Sequence, residues 1–120
     1  MTDIKIGVLG CGSIAEIAHF PAIHKREGVK LIATCDVDIN RAETAAKKWG
    51  AEQWFSDYHE MYETSKTDAV IIATPNNLHR NQAVLAAKAG IHVIVEKPLA
   101  VTNYEAWDIV NACKKAGVKL

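Results

Sequence analysis

The sequence predicts one α/β domain built on a doubly wound parallel sheet, and three observations carry that prediction. Short, near-continuous apolar runs alternate with segments whose apolar residues recur at helical spacing. A glycine-rich turn joins the first run to the first helical segment. An aspartate closes the second run. Strands apolar on both faces belong to a parallel sheet covered by helices on either side, and right-handed crossovers then wind it both ways. The chain of 120 residues is enough for one core, so 1–120 reads as a single domain.

The elements follow in order. Ile4 to Leu9 is a buried strand ending at a glycine. Ser13 to about Arg26 is a helix, interrupted near Pro21, which lacks a backbone donor. Lys30 to Cys35 is the second strand. Ile39, Ala42, Ala45, Ala46 and Trp49 share one helical face, with Asp38 as N-cap and Gly50 as the stop. Gln53 to Phe55 reads as a short edge strand, and Asp57 opens another helix. Ala69 to Ala73 is a strand. The helix from about Asn76 to Ala89 directs Leu78, Leu85, Ala86 and Ala89 inward, with Asn76 as its cap. His92 to Val95 is the fifth strand. Thr102 and Glu105 have capping-box spacing, ahead of Ala106, Ile109, Val110 and Cys113 on one face. Val118 to Leu120 reads as the opening of a sixth strand.

Composition narrows the classes of function. Fourteen basic and 14 acidic residues cancel, so no broad field draws nucleic acid or an anionic membrane. No apolar run approaches a membrane span, and the N-terminal residues carry no signal-peptide pattern. Three cysteines without short spacing fit reduced thiols in a cytoplasmic protein. No Cys/His pair has metal-ligand spacing, so no metal is expected. His19, His24, His59 and His92 carry no motif and read as structural, and Trp49, Trp54 and Trp107 as core or interface residues.

The chemistry starts at Gly10-Cys11-Gly12-Ser13-Ile14-Ala15, of the form G-x-G-x-x-A. The pattern alone is weak; between a strand and a helix it marks a Rossmann dinucleotide loop. Gly10 permits the tight turn, Gly12 lets a pyrophosphate approach the backbone, and Ala15 lets helix and strand pack closely. The N–H groups near Ser13 and Ile14 are then placed to hold phosphate oxygens. Asp36 stands at the end of the second strand, 21 residues after Ala15. A carboxylate there accepts from the adenosine ribose hydroxyls and repels a 2′-phosphate, favouring NAD over NADP. Arg41 can stack on adenine or meet a phosphate; its plainer reading is a solvated helix residue. A methyltransferase also uses a glycine loop and a ribose-binding acid, but its loop is richer in glycine and the later motifs do not suit it. A compact turn beside a strand-ending aspartate is the bland alternative, and it leaves the agreement of loop, context and acid unexplained.

Two polar clusters, Thr74-Pro75-Asn76-Asn77-Leu78-His79 and Glu96-Lys97-Pro98, end the fourth and fifth strands, so both lie on the carboxyl edge where ligands bind. Together, GCGSIA, ATPNNLH and VEKPLA resemble the glucose–fructose oxidoreductase, inositol dehydrogenase and MocA (Gfo/Idh/MocA) family over the whole chain. The resemblance implies an N-terminal Rossmann domain followed by a larger C-terminal substrate domain, which is absent here. It implies hydride transfer between a nicotinamide cofactor and a hydroxyl-bearing sugar, cyclitol or related compound. Lys97 would then lie near the nicotinamide and the reacting hydroxyl as the catalytic residue, stabilising oxygen charge or moving a proton. Glu96 would border the nicotinamide, Pro98 would shape the turn, in some members as a cis peptide, Thr74, Pro75 and Asn76 would line the groove, and His79 would sit near it. The family completes its proton-handling group with residues of the second domain, so the isolated chain is expected to bind NAD with little or no turnover. A stand-alone dinucleotide-binding or sensing module is the alternative. A third reading closes the site by self-association into a homo-oligomer.

Overall fold

In the computed structural model, which describes residues 2–120, five parallel strands form one sheet in the order β3-β2-β1-β4-β5. The strands are β1 (Ile4–Leu9), β2 (Val29–Cys35), β3 (Gln53–Phe55), β4 (Ala69–Ile72) and β5 (His92–Val95). From β1 the chain winds outward to β3, then returns to β4 on the other side of β1. The reversal opens a crevice between β1 and β4 at the carboxyl edge.

The helices α1 (Phe20–Lys25), α2 (Ile39–Trp49), α3 (Tyr58–Thr64), α4 (His79–Lys88) and α5 (Asn103–Ala116) cover the sheet. Strand alternation separates two cores. Ile6, Val8, Leu31 and Ile71 pack under α1 and α2, against Phe20, Ile23, Ala45 and Ala46. Leu9, Ala33, Val70, Ile72 and Val93 face α3, α4 and α5, against Met61, Ala83, Ala86, Ile109 and Cys113. Thr34 is fully buried, and its hydroxyl donates to the Ala42 carbonyl at 2.7 Å, so no buried donor is orphaned there.

The local signals place the boundaries well. Asp38 accepts from the N–H groups of Asn40 and Arg41 at the start of α2, and Gly50 ends it in the left-handed conformation. Asp57 caps α3 through His59 N–H, and Thr102 caps α5 through Glu105 N–H. The interruption expected near Pro21 is a π-helical turn, Ala15–His19, immediately before α1, in which Phe20 N–H reaches back to the Ala15 carbonyl. Pro21 has no N–H with which to continue the α-helical ladder through that turn.

Four expectations change. Asn76 is not a cap: a 3-10 turn, Asn76–Leu78, leads into α4, and neither turn nor helix has a side-chain cap bond. Leu78 N–H is instead taken by the Pro75 carbonyl at 3.0 Å. The inward face of α4 is His79, Gln82, Ala83, Ala86 and Ala87, while Leu78 is 39% exposed and Ala89 is exposed. Two polar residues hold inward positions because each finds hydrogen-bond partners at the sheet edge. Trp107 is 62% exposed, so of the core and interface positions expected for it the core is excluded, since α5 turns Ile109 and Cys113 inward. Val118 to Leu120 forms no strand; one backbone bond, Val93 N–H to the Lys119 carbonyl, lays it beside β5, and a single bond is too short a ladder. Among the described residues, no helix is long and apolar enough to cross a membrane.

Candidate functional site

The glycine loop is pinned between the ends of three strands. Gly10 N–H donates to the Cys35 carbonyl at 2.8 Å, and Ala73 N–H donates to the Leu9 carbonyl at 2.8 Å. Gly10 has φ +94, and a Cβ on it would lie 2.7 Å from the Ala73 carbonyl oxygen. No other residue type fits this crossing without strain. Gly12 is different: a Cβ there would meet nothing within 4 Å. Its lack of a side chain serves no packing need inside the chain, and it keeps open the space a pyrophosphate would enter.

After Gly12 the helical turn begins, with Glu16 N–H bonded to the Gly12 carbonyl at 3.1 Å. Ser13 and Ile14 are exposed at this start, and among the described residues neither N–H has a backbone partner. Helix starts of this kind present donors and positive potential to an anion.

Asp36 is 8% exposed, and its carboxylate is held by the backbone. Oδ2 accepts from Cys11 N–H and Oδ1 from Asp38 N–H, each at 2.9 Å. The carboxylate therefore ties the glycine loop to the end of β2. An ionised carboxylate has about four acceptor positions, so each oxygen retains capacity for a further donor.

These residues line a cavity of about 410 Å³. Gly10, Gly12, Asp36 and Arg41 form one side, and Thr74 and Pro75 the other. Of the remaining expected site residues, Ser13 and Ile14 stand at the helix start, Asn76 is exposed in the 3-10 turn, and Glu96 and Lys97 follow β5. His79 lies beneath the groove, 1% exposed, with Nε2 2.8 Å from the Thr74 carbonyl and Nδ1 3.0 Å from the Pro98 carbonyl. Thr74 Oγ1 donates to Gln82 Oε1, which aligns the Thr74 loop from below. The Lys97-Pro98 peptide is cis.

Several contributors escape sequence reasoning. Ser56 and Tyr58 reach the cavity from the loop after β3. Extending the carboxyl-edge rule to that edge strand would have found them. His19 Nε2 lies 2.6 Å from Glu96 Oε1, which joins the helix of the glycine loop to the Glu96-Lys97-Pro98 segment. No local signal marks that pair.

Cys11 and Cys35 adjoin the loop but offer no nucleophile. Cys11 Sγ donates weakly to the Cys35 carbonyl at 3.5 Å. Burial pushes both thiols from 9.0 up to about 12; beyond burial, the Asp36 charge adds most for Cys11, and Cys11 and then Asp36 for Cys35.

The family model described as an oxidoreductase family with an NAD-binding Rossmann fold (GFO_IDH_MocA) matches residues 4–120. D-glucoside 3-dehydrogenase of Escherichia coli is 30% identical over 116 residues, covering 97% of this chain and 33% of that protein. The WlbA dehydrogenase of Bordetella pertussis, solved with NADH and UDP-GlcNAcA, superposes with a TM-score of 0.94 at 36% identity, over 100% of this chain and 36% of that one. KijD10, a 3-ketoreductase from Actinomadura kijaniata solved with NADP and TDP-benzene, gives 0.91 at 28% identity, over 98% and 36%. The chain thus spans about a third of the length of these relatives.

Proposed function

The chain belongs to this oxidoreductase family, and from that premise we propose that it is the cofactor-binding part of a dehydrogenase acting on a hydroxyl-bearing sugar, cyclitol or related compound, with NAD preferred to NADP. The observation that carries the cofactor reading is Gly12, whose missing side chain leaves open space beside a helix start and a backbone-held carboxylate. A dinucleotide fits these groups. Its pyrophosphate would take the N–H groups of Ser13 and Ile14, and its adenosine half the cavity of about 410 Å³.

Asp36 supports NAD. Held by two N–H groups, it can still accept from ribose hydroxyls, and a 2′-phosphate would face its charge across a part-closed cavity. Arg41, on the same wall, is free to lie against the adenine. Thr74 and Pro75 border the route from adenosine to nicotinamide.

When bound, the nicotinamide supplies the hydride chemistry, and the protein orients it and manages the proton. Lys97 is exposed at the end of this edge, where its ammonium can stabilise charge on the substrate oxygen or move the proton at Nζ. Glu96 borders the same point. This chain's relatives are about three times longer, and on this reading the further residues that select the substrate would come from the part of such a protein beyond these 120 residues. Fluorescence titration with NADH and NADPH tests the cofactor preference. NADH is expected to bind more tightly, and tighter NADPH binding would contradict the role given to Asp36.

A further inference from the structure

Lys97 sits on a strap with little backbone support. Glu96 N–H makes the last backbone bond of β5, to the Ile72 carbonyl at 3.0 Å. Among the described residues, Lys97 through Val101 make no backbone–backbone hydrogen bond. Leu99 and Ala100 anchor the far half of the strap by packing on the core beneath α4 and α5. The near half depends on two side chains, and both are histidines.

They arrive from opposite faces of the sheet. His19 ends the π turn that leads into α1, on the face where Phe20 and Ile23 are buried. Its Nε2 meets the carboxylate of Glu96, the residue before Lys97, at 2.6 Å. His79 opens α4 on the other face, with Ala83 and Ala86 in the second core. Its Nδ1 meets the carbonyl of Pro98, the residue after Lys97, at 3.0 Å, while Nε2 holds the Thr74 carbonyl at 2.8 Å.

We propose that His19 and His79 are positioning residues that clamp Lys97 between them, one through each of its chain neighbours. The inference rests on the reading of Lys97 as the group beside the nicotinamide. It adds what aims that lysine. A hydrogen bond to a carboxylate is among the stronger kinds, so His19 is a firm arm. For His79, a neutral imidazole has one N–H and makes one of its two bonds; the doubly protonated ring makes both. The His19 arm also has a second end. The helix that carries it starts at the glycine loop, so the group that would hold the pyrophosphate and the group that holds Glu96 belong to one short rigid element. His79 likewise lies between the Thr74 loop and the strap, its ring nitrogens facing the carbonyls of Thr74 and Pro98.

Backbone ¹⁵N relaxation on the cofactor-free chain tests the clamp directly. In the unaltered chain the Lys97 N–H is expected to be as rigid as a strand, with an order parameter of about 0.85. His19→Leu is expected to lower it toward about 0.6, with β1 and α2 unchanged. His19→Gln, which keeps an N–H at similar reach, is expected to restore it; a role in packing alone would not separate glutamine from leucine. His79→Leu should loosen Lys97 from the other side. If burial of two unpartnered carbonyls prevents that variant from folding, His79→Gln and the His19 pair carry the test. An unchanged Lys97 in the folded leucine variants, or a glutamine variant as loose as leucine, overturns the proposal. Because no cofactor is present, the result is independent of NADH binding: a chain that loosens as expected but binds no NADH keeps the clamp and loses the proposed function.

Discussion

Gly10→Ala is expected to destabilise the protein by about 2–5 kcal/mol, combining the cost of a left-handed conformation with that of overpacking. The backbone there has φ +94, where a Cβ is penalised. The added carbon would also lie 2.7 Å from the Ala73 carbonyl oxygen, 2.8 Å from its carbon and 3.0 Å from Thr74 N. These are backbone atoms. The bond from Ala73 N–H to the Leu9 carbonyl holds them in place, so they cannot move aside as a flexible side chain would. For a domain of this size the loss is a large part of its stability and should lower the melting temperature by roughly 10–25 °C, read by circular dichroism. A change of only a degree or two would mean that β1 and β4 do not approach so closely at the switch point.

Asp36→Ala is the second large effect, and it has two readouts. The substitution removes the acceptor for Cys11 N–H and Asp38 N–H, both at 2.9 Å, in a site only 8% exposed. Hydrogen bonds to a charged group contribute about 1.5–3 kcal/mol each, and water admitted to the enlarged site offsets part of the loss, so stability should fall by about 2–4 kcal/mol. Cofactor affinity should fall as well. Losing the ribose acceptor costs on the order of 1–3 kcal/mol, or about 10- to 100-fold in NADH dissociation constant by titration. A loss of stability without loss of affinity would leave Asp36 a purely structural tie between the loop and β2.

The architecture was legible because its signals are local. Gly50 ends α2, and Asp38, Asp57 and Thr102 cap three helices through bonds to N–H groups two or three residues on. The convergence of the glycine loop and Asp36 on one cavity was legible for a related reason: both stand at fixed offsets from the ends of neighbouring strands. What escaped depends on distant partners. His19 and Glu96 are 77 positions apart, and the orientation of His19 comes from a π turn without a sequence signature. The inward face of α4 was misjudged because His79 and Gln82 look like surface residues. Their burial makes sense only once the carbonyls of Thr74 and Pro98 and the hydroxyl of Thr74 are beside them. Trp107 shows the converse: a large apolar side chain on the outer face of a helix whose periodicity was read correctly.

A dinucleotide seated in the space beside Gly12 would be sensitive to a single added methyl group there, so NADH titration of the unaltered chain beside Gly12→Ala is decisive. A Cβ at this position meets nothing within 4 Å, so the variant should fold with nearly unchanged stability. Saturable NADH binding by the unaltered chain is expected, with affinity weakened at least about tenfold in Gly12→Ala, a difference of about 1.4 kcal/mol or more. Equal binding by the two chains, or no saturable binding by the unaltered one, would contradict a dinucleotide site there.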